Sequence, residues 1–315
     1  MATLGAGGPA VSRVGLGLAA LGRPAYITSG RGADLPDRTV EGLRARTFGM
    51  LDAAYAAGVR YADAARSYGR AEEFLAGWLA ERGHPDMIVG SKWGYRYTGE
   101  WRLDAPVQEV KEHSLEMFAA QVGQSRALLG DRLALYQVHS LTVDSGLFDD
   151  RPLLAALSRL RADGVIIGLS TSGPRQADAI RRALPITVDG QSLFAAAEVT
   201  WNLLEPSAGP AAAEAAAAGW GILVKEAVAN GRLTPAGDPP AALTALARAR
   251  GVTEDAIALA AALAQSWATV VLSGAVTTTQ LDANLAALTV GEVPELGLAE
   301  APDAYWAERS ERPWH

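Results

Sequence analysis

Eight short apolar runs recur along the chain, each closing on a polar turn and most followed by a segment of helical period. They are Val11–Leu18, the run that opens at Val59, Met87–Lys92, Leu133–His139, Val165–Ser170, Leu193–Trp201, Gly221–Lys225 and Thr269–Ser273. Strands that alternate with helices make a parallel sheet, because each crossover returns the chain to the same end. Eight such units in about 250 residues predict a closed (β/α)8 barrel rather than an open doubly wound sheet. Composition does not break anywhere along the 315 residues. Residues 1–315 are therefore expected to form one barrel domain, with a C-terminal tail from about residue 290.

The helical segments are read from apolar spacing and end signals. They cover Glu41–Ala57, Ala71–Arg82, Val107–Leu129, Pro152–Ala162, Pro210–Ala218, Ala241–Arg250 and Glu254–Trp267. Ser172 and Pro174 fit a cap and a first turn. A last helix starts near Thr277, where T-T-T-Q offers a capping box. The tail, with Trp306 and Trp314, is expected to fold back as a lid or pack on a helix.

Charge and composition exclude several classes of function. A net charge of -7 without a basic block argues against a nucleic-acid partner. No apolar run reaches the roughly 20 residues of a membrane helix. The N-terminus lacks the basic and apolar regions of a signal peptide, so a cytoplasmic protein is expected. There is no cysteine, which removes disulfides, thiolate metal sites and cysteine nucleophiles.

In a parallel barrel the carboxyl ends of the strands converge on one face, and chemistry is assembled there. Asp63 stands where the second strand stops, Tyr68 follows on the turn, and Lys92 and His139 close the third and fourth strands. Only three of the 28 basic residues are lysines, Lys92, Lys111 and Lys225, and two of these end strands. A tyrosine has an ordinary pKa of about 10. A neighbouring ammonium favours its phenolate and makes the hydroxyl a better proton donor. Asp63 supplies the counter-ion, and His139 can orient a carbonyl oxygen. Such a set protonates a developing alkoxide, as reduction of an aldehyde or ketone requires. Hydride delivery then calls for a nicotinamide cofactor.

Here the chain resembles the aldo-keto reductases. The resemblance rests on V-R-Y-A-D-A-A-R-S-Y-G, G-S-K-W-G, L-Y-Q-V-H, I-G-L-S, W-N-L-L, G-R-L-T and S-G-A-V-T-T-T-Q-L-D-A-N-L, in order from about Val14 to Leu285. It implies a (β/α)8 barrel, NAD(P)H-dependent carbonyl reduction, and a catalytic tetrad at Asp63, Tyr68, Lys92 and His139. It also implies cofactor contacts at Ser170, Thr171, Glu198, Lys225, Gly274, Thr278, Gln280 and Asn284, with NADP as the cofactor and NAD as the alternative. The pattern departs at several of these. Thr171 replaces an asparagine and Glu198 a glutamine that would hold the nicotinamide carboxamide. Lys225 stands in place of a stacking aromatic, with Glu198 as its expected ion-pair partner and Glu226 as the alternative. Gln280 stands where a basic residue often reads a 2′-phosphate; it serves either the helix cap or the ligand.

The mouth loops at residues 23–40, 93–101 and 141–150 are expected to choose a small-molecule carbonyl substrate. Trp93 and Trp101 suit either a packed loop or a pocket wall for a planar or apolar compound, and Arg96 leaves room for an anionic group. Two other classes stay open: a Schiff-base lyase using Lys92 or Lys225, and a slow-turnover, cofactor-binding regulatory protein.

Overall fold

Every barrel strand is short and buried on both faces, which a sheet wrapped inside a ring of helices requires. In the computed structural model, which describes residues 1–27 and 31–314 (31 and 32 in backbone only), the strands are β1 Val14–Gly17, β2 Tyr61–Asp63, β3 Ile88–Trp93, β4 Leu133–Leu141, β5 Ile166–Thr171, β6 Ala196–Thr200, β7 Gly221–Lys225 and β8 Val270–Ser273. They pair in parallel in sequence order, and β8 returns to β1, so the barrel is closed as expected. The helices are α1 Val40–Ala56, α2 Ala71–Arg82, α3 Leu115–Leu129, α4 Arg151–Ala162, α5 Gln176–Ala183, α6 Gly209–Ala217, α7 Ala241–Arg250, α8 Glu254–Leu263, α9 Thr278–Ala286 and α10 Pro302–Ser310. Their apolar faces and the outward side chains of the strands make one continuous core. Residues 28–30 of the expected mouth loop at 23–40 lie outside the described residues.

A hairpin of Ala2–Thr3 with Ala10–Val11 precedes β1 and closes the amino-terminal end of the barrel. Leu4 and Val11 there pack on Tyr61, Leu135, Ala196, Leu223 and Val270 in the barrel interior. The run expected as one strand over Val11–Leu18 is thus a hairpin strand followed by a short barrel strand.

Several boundaries move for local reasons. The helix expected over Val107–Leu129 starts only at Leu115, because Ser114 is the true cap and accepts from the Met117 N–H at 3.1 Å. Residues Glu109–Lys111 instead pair antiparallel with Tyr95–Tyr97, making the aromatic loop a hairpin. Ser172 and Pro174 do not start a helix; α5 begins at Gln176 without a side-chain cap. The helix expected to reach Trp267 stops at Leu263. The sixth strand is confined to Ala196–Thr200.

After α9 a 3-10 turn at Ala287–Thr289 leads into an irregular stretch and then α10, which packs Tyr305 and Trp306 against Leu204, Leu233, Leu243 and Ile257. The tail therefore folds back over the carboxyl end of the barrel, as a helix-packed strap. Among the described residues, no helix is long and apolar enough to cross a membrane, and no group of acidic and histidine side chains is arranged to hold a metal ion.

Candidate active site

The turn after β2 is held by its own backbone. The Ala64 N–H bonds to the Gly90 carbonyl and the Arg66 N–H to the Lys92 carbonyl, both at 2.9 Å, so the turn is laced to β3. Gly69 follows Tyr68 with φ +60, and a Cβ there would sit 2.4 Å from the Gly22 carbonyl oxygen. Only glycine lets the Tyr68 turn press against that backbone. These contacts deliver Asp63, Tyr68, Lys92 and His139 to one place.

Lys92 is the hub. Its ammonium hydrogen-bonds Asp63 Oδ2 and stands 3.4 Å from the Tyr68 hydroxyl. A second carboxylate, Glu198 on β6, lies at 3.1 Å from the same nitrogen. Side-chain exposure is 0% for Lys92, 2% for Asp63 and 1% for Glu198, so the cluster is dry and sets two carboxyl groups against one ammonium. The Tyr68 and His139 rings meet edge-on at 5.5 Å, and Tyr95 closes on His139 from the other side at 5.0 Å. Tyr68 and His139 each keep 8% exposure, so the cluster meets solvent at these two rings.

Each protonation state has an identifiable cause. Burial holds the Tyr68 hydroxyl well above the usual tyrosine range; Lys92 pulls it down, but Asp63 and Glu198 push it further up. The expected lowering by the ammonium is thus real but outweighed, first by burial and then by the two carboxylates beside Lys92. Burial raises the Asp63 carboxyl to about 7, against the pull of Lys92 and with the push of Glu198. Lys92 itself stays above its usual range, since Asp63 and Glu198 outweigh its burial. His139 is held well below the usual histidine range by burial, then by Lys92, Arg23 and Lys225, so its ring is neutral. Its Nδ1 lies 3.5 Å from the Ser67 hydroxyl.

The residues expected at the cofactor divide into two groups. Ser170 accepts from the Ser140 N–H at 2.8 Å, and Thr171 donates toward Gln176 Oε1 at 3.2 Å, so both strand-5 hydroxyls already have partners within the protein. Glu198 faces Lys92 and Gln137 rather than Lys225, correcting the expected ion pair. Lys225 instead donates to Thr200 Oγ1 at 2.7 Å and pairs with Glu226 at 3.7 Å. The other group gathers at the start of α9. Thr277 caps it, Gln280 accepts from the Val276 N–H at 2.9 Å and donates to Asp34 at 2.7 Å, and Gly274 and Thr278 are exposed. Asn284 donates to Ser273 Oγ at 2.8 Å, while its buried Oδ1 has no protein partner.

Of the expected pocket residues, Trp93 is fully buried against Phe118 and His113 and belongs to the core. Trp101 is half-buried and donates to the Arg38 carbonyl at 2.9 Å. Arg96 is exposed and pairs with Glu112. The sequence reading missed Tyr95, and it missed Arg23, whose guanidinium covers the rings of Tyr68 at 5.2 Å and Trp314 at 4.7 Å. Tyr95 lies two residues beyond β3 in the aromatic run, so its proximity to the mouth was readable. Arg23 had no such signal.

The (β/α)8 barrel thus carries a buried Asp63–Lys92–Tyr68 cluster and a neutral histidine at its mouth, an arrangement that fits a carbonyl-reducing oxidoreductase. Comparison with known proteins agrees: residues 41–297 match the profile of the Aldo/keto reductase family, and the chain belongs to that family. A Pseudomonas aeruginosa protein assigned to the aldo-keto reductases is 27% identical, with a TM-score of 0.64, over 92% of this chain and 95% of that one. The holo form of an aldo-keto reductase from Bacillus halodurans shares the fold at 21% identity and a TM-score of 0.68, covering 98% of this chain and 95% of that one. No curated protein matches the chain.

Proposed function

We propose that the chain reduces an aldehyde or ketone to its alcohol with Tyr68 as the proton donor. The observation that carries this is the 3.4 Å approach of the Lys92 ammonium to the Tyr68 hydroxyl, at an edge of the buried cluster that meets solvent. A carbonyl oxygen held between Tyr68 and His139 gains negative charge as its carbon is reduced. With the Ser67 hydroxyl donating to Nδ1, the neutral His139 ring presents Nε2–H to that oxygen. The Tyr68 O–H then breaks, the alcohol O–H forms, and Lys92 stabilises the phenolate that remains. Asp63 keeps the ammonium in place.

A nicotinamide dinucleotide supplies the hydride when bound. The start of α9 suits its phosphate and adenosine end: Gly274 leaves open space, the helix terminus favours anions, and Asn284 offers a buried acceptor that no protein group uses. Lys225 would face the nicotinamide end. Gln280 is neutral and bonded to the Asp34 carboxylate, which favours a free ribose hydroxyl over a 2′-phosphate and hence NAD(H) over NADP(H).

The lyase reading loses Lys92, which two carboxylates hold protonated and therefore non-nucleophilic. It retains Lys225, whose pKa burial lowers. Consumption of NADH or NADPH by the purified protein with 4-nitrobenzaldehyde, together with detection of the alcohol, tests the reductase reading. Borohydride-trapped aldehyde on Lys225 without cofactor consumption would replace it.

A further inference from the structure

Glu198 is placed by register. On β6 it lies opposite Ser170 of β5 and Leu223 of β7, while Thr200, two residues on, lies opposite Lys225 at the mouth. Residues i and i+2 of a strand share a face, so Glu198 sits about 6–7 Å deeper than the Thr200–Lys225 layer. At that depth its Oε2 meets Lys92 at 3.1 Å and accepts from Gln137 Nε2 at 3.0 Å. The Gln137 amide fixes the carboxylate's rotamer, and the chain has thereby buried a second acid against its single catalytic ammonium.

Resting on the reductase reading, we propose that Glu198 is a positioning residue for the proton transfer: a second counter-ion of Lys92 that keeps Tyr68 protonated and ready to donate. A lysine divided between two carboxylates stabilises a nearby phenolate less than one held by a single carboxylate. Tyr68 therefore gives up its proton only at higher pH, and reduction, which needs the phenol, continues further into the alkaline range. Oxidation of the alcohol needs the phenolate as base, so its rising limb moves up in pH by the same amount.

Other charged and titratable groups share this surrounding. Asp63 and Tyr61 of β2 and Tyr68 of the following turn face the cluster, with Lys92 of β3, Gln137 and His139 of β4 and Lys225 of β7. Arg23 and the Glu226–Arg309 pair stand further out, at the mouth. Among these only Asp63 and Glu198 are carboxylates on Lys92, so removing one charge leaves the other to hold the ammonium.

The test is Glu198→Gln, which keeps size and leaves the other groups in place. Tyrosinate absorbance of the ligand-free protein, with Tyr68→Phe identifying the Tyr68 step, is expected to show Tyr68 ionising at least one pH unit lower in the variant. The alkaline limb of kcat/KM for reduction should move down equally, and NADH should bind within about threefold of wild type. Glu198→Asp, which keeps the charge, should stay nearer wild type in both readouts. Unmoved ionisation and pH limbs would overturn the proposal, as would a shift in Glu198→Asp equal to that in Glu198→Gln. So would tenfold weaker NADH binding with no pH shift, which would return Glu198 to the cofactor cradle. If the variant shows the tyrosinate shift while the wild-type protein reduces no carbonyl compound, the charge assignment stands and the reductase reading falls.

Discussion

Arg309 on the last helix grips Glu226, just past the end of β7, through two hydrogen bonds, one of them Nε to Oε2 at 2.8 Å. Glu226 adopts φ 55, a left-handed conformation that turns it back toward this partner. Its carboxyl is lowered to about 2: Arg309 and Lys225 together outweigh its burial. One carboxylate thus serves two cations, and the charge of Lys225 is only partly cancelled.

On the proposed site, where Lys225 would stand beside the nicotinamide, its charge would repel the positive ring of the oxidised cofactor and leave the neutral reduced ring untouched. Lys225→Met is expected to tighten binding of the oxidised form relative to the reduced form by about tenfold, on the order of 1.4 kcal/mol. Arg309→Gln frees Glu226 for Lys225 and should act in the same direction. Fluorescence titration of both redox forms checks this; equal shifts for the two forms in both variants would mean the charge is not felt at the ring.

Removing Lys92 should damage the fold more than removing either of its acids. Lys92→Met leaves Asp63 and Glu198 facing each other in a dry site, and breaking a buried pair in this way costs about 3–5 kcal/mol. Asp63→Asn leaves Glu198 to neutralise the ammonium and should cost clearly less. Urea unfolding of both variants decides it, and equal losses would count against the shared arrangement.

His113 donates from Nε2 to the His139 carbonyl, 2.9 Å away, and burial and then Lys111 lower its pKa to about 4. The unfolded value is about 6.5. Between these values the unfolded chain binds a proton that the native protein does not, so this histidine's contribution to stability falls as pH drops from about 6.5 to 4. Asp63 works in the opposite sense below 7, so the quantity to compare is the difference between proteins. His113→Asn should show a smaller loss of melting temperature between pH 7 and pH 5 than wild type. Parallel slopes would contradict the assignment.

On the proposed cofactor site, the Gln280–Asp34 bond predicts a preference for NAD(H) in place of the NADP expected from the sequence. Dissociation constants should favour NADH over NADPH, and Asp34→Asn should narrow the gap by weakening the repulsion of a 2′-phosphate. Tighter NADPH binding by wild type would show that the pair opens or points elsewhere.

The barrel and the gathering of Asp63, Tyr68, Lys92 and His139 were readable because both depend on short-range signals. Strand ends carry Asp63, Lys92 and His139, and parallel strands bring such ends together whatever the side chains between them. Pairing among the acids was not readable. Whether Glu198 reaches Lys225 or Lys92 depends on the register between β6 and β7, which sets Lys225 against Thr200 and drops Glu198 one layer below. Hydrophobic pattern fixes which face a residue takes, not its height along the barrel. The start of α3 was missed for a related reason: Val107 and Val110 extend the apolar pattern upstream, yet both are exposed and the Ser114 cap decides the boundary.

Single-turnover oxidation of bound NADH or NADPH by 4-nitrobenzaldehyde, followed in wild type and in Tyr68→Phe, tests the proton-donor assignment most directly. Wild type should consume one equivalent of cofactor and release the alcohol. Tyr68→Phe should bind the cofactor with unchanged affinity and react about 100- to 10,000-fold more slowly. A Tyr68→Phe protein that keeps more than half the wild-type rate would remove Tyr68 as the proton donor.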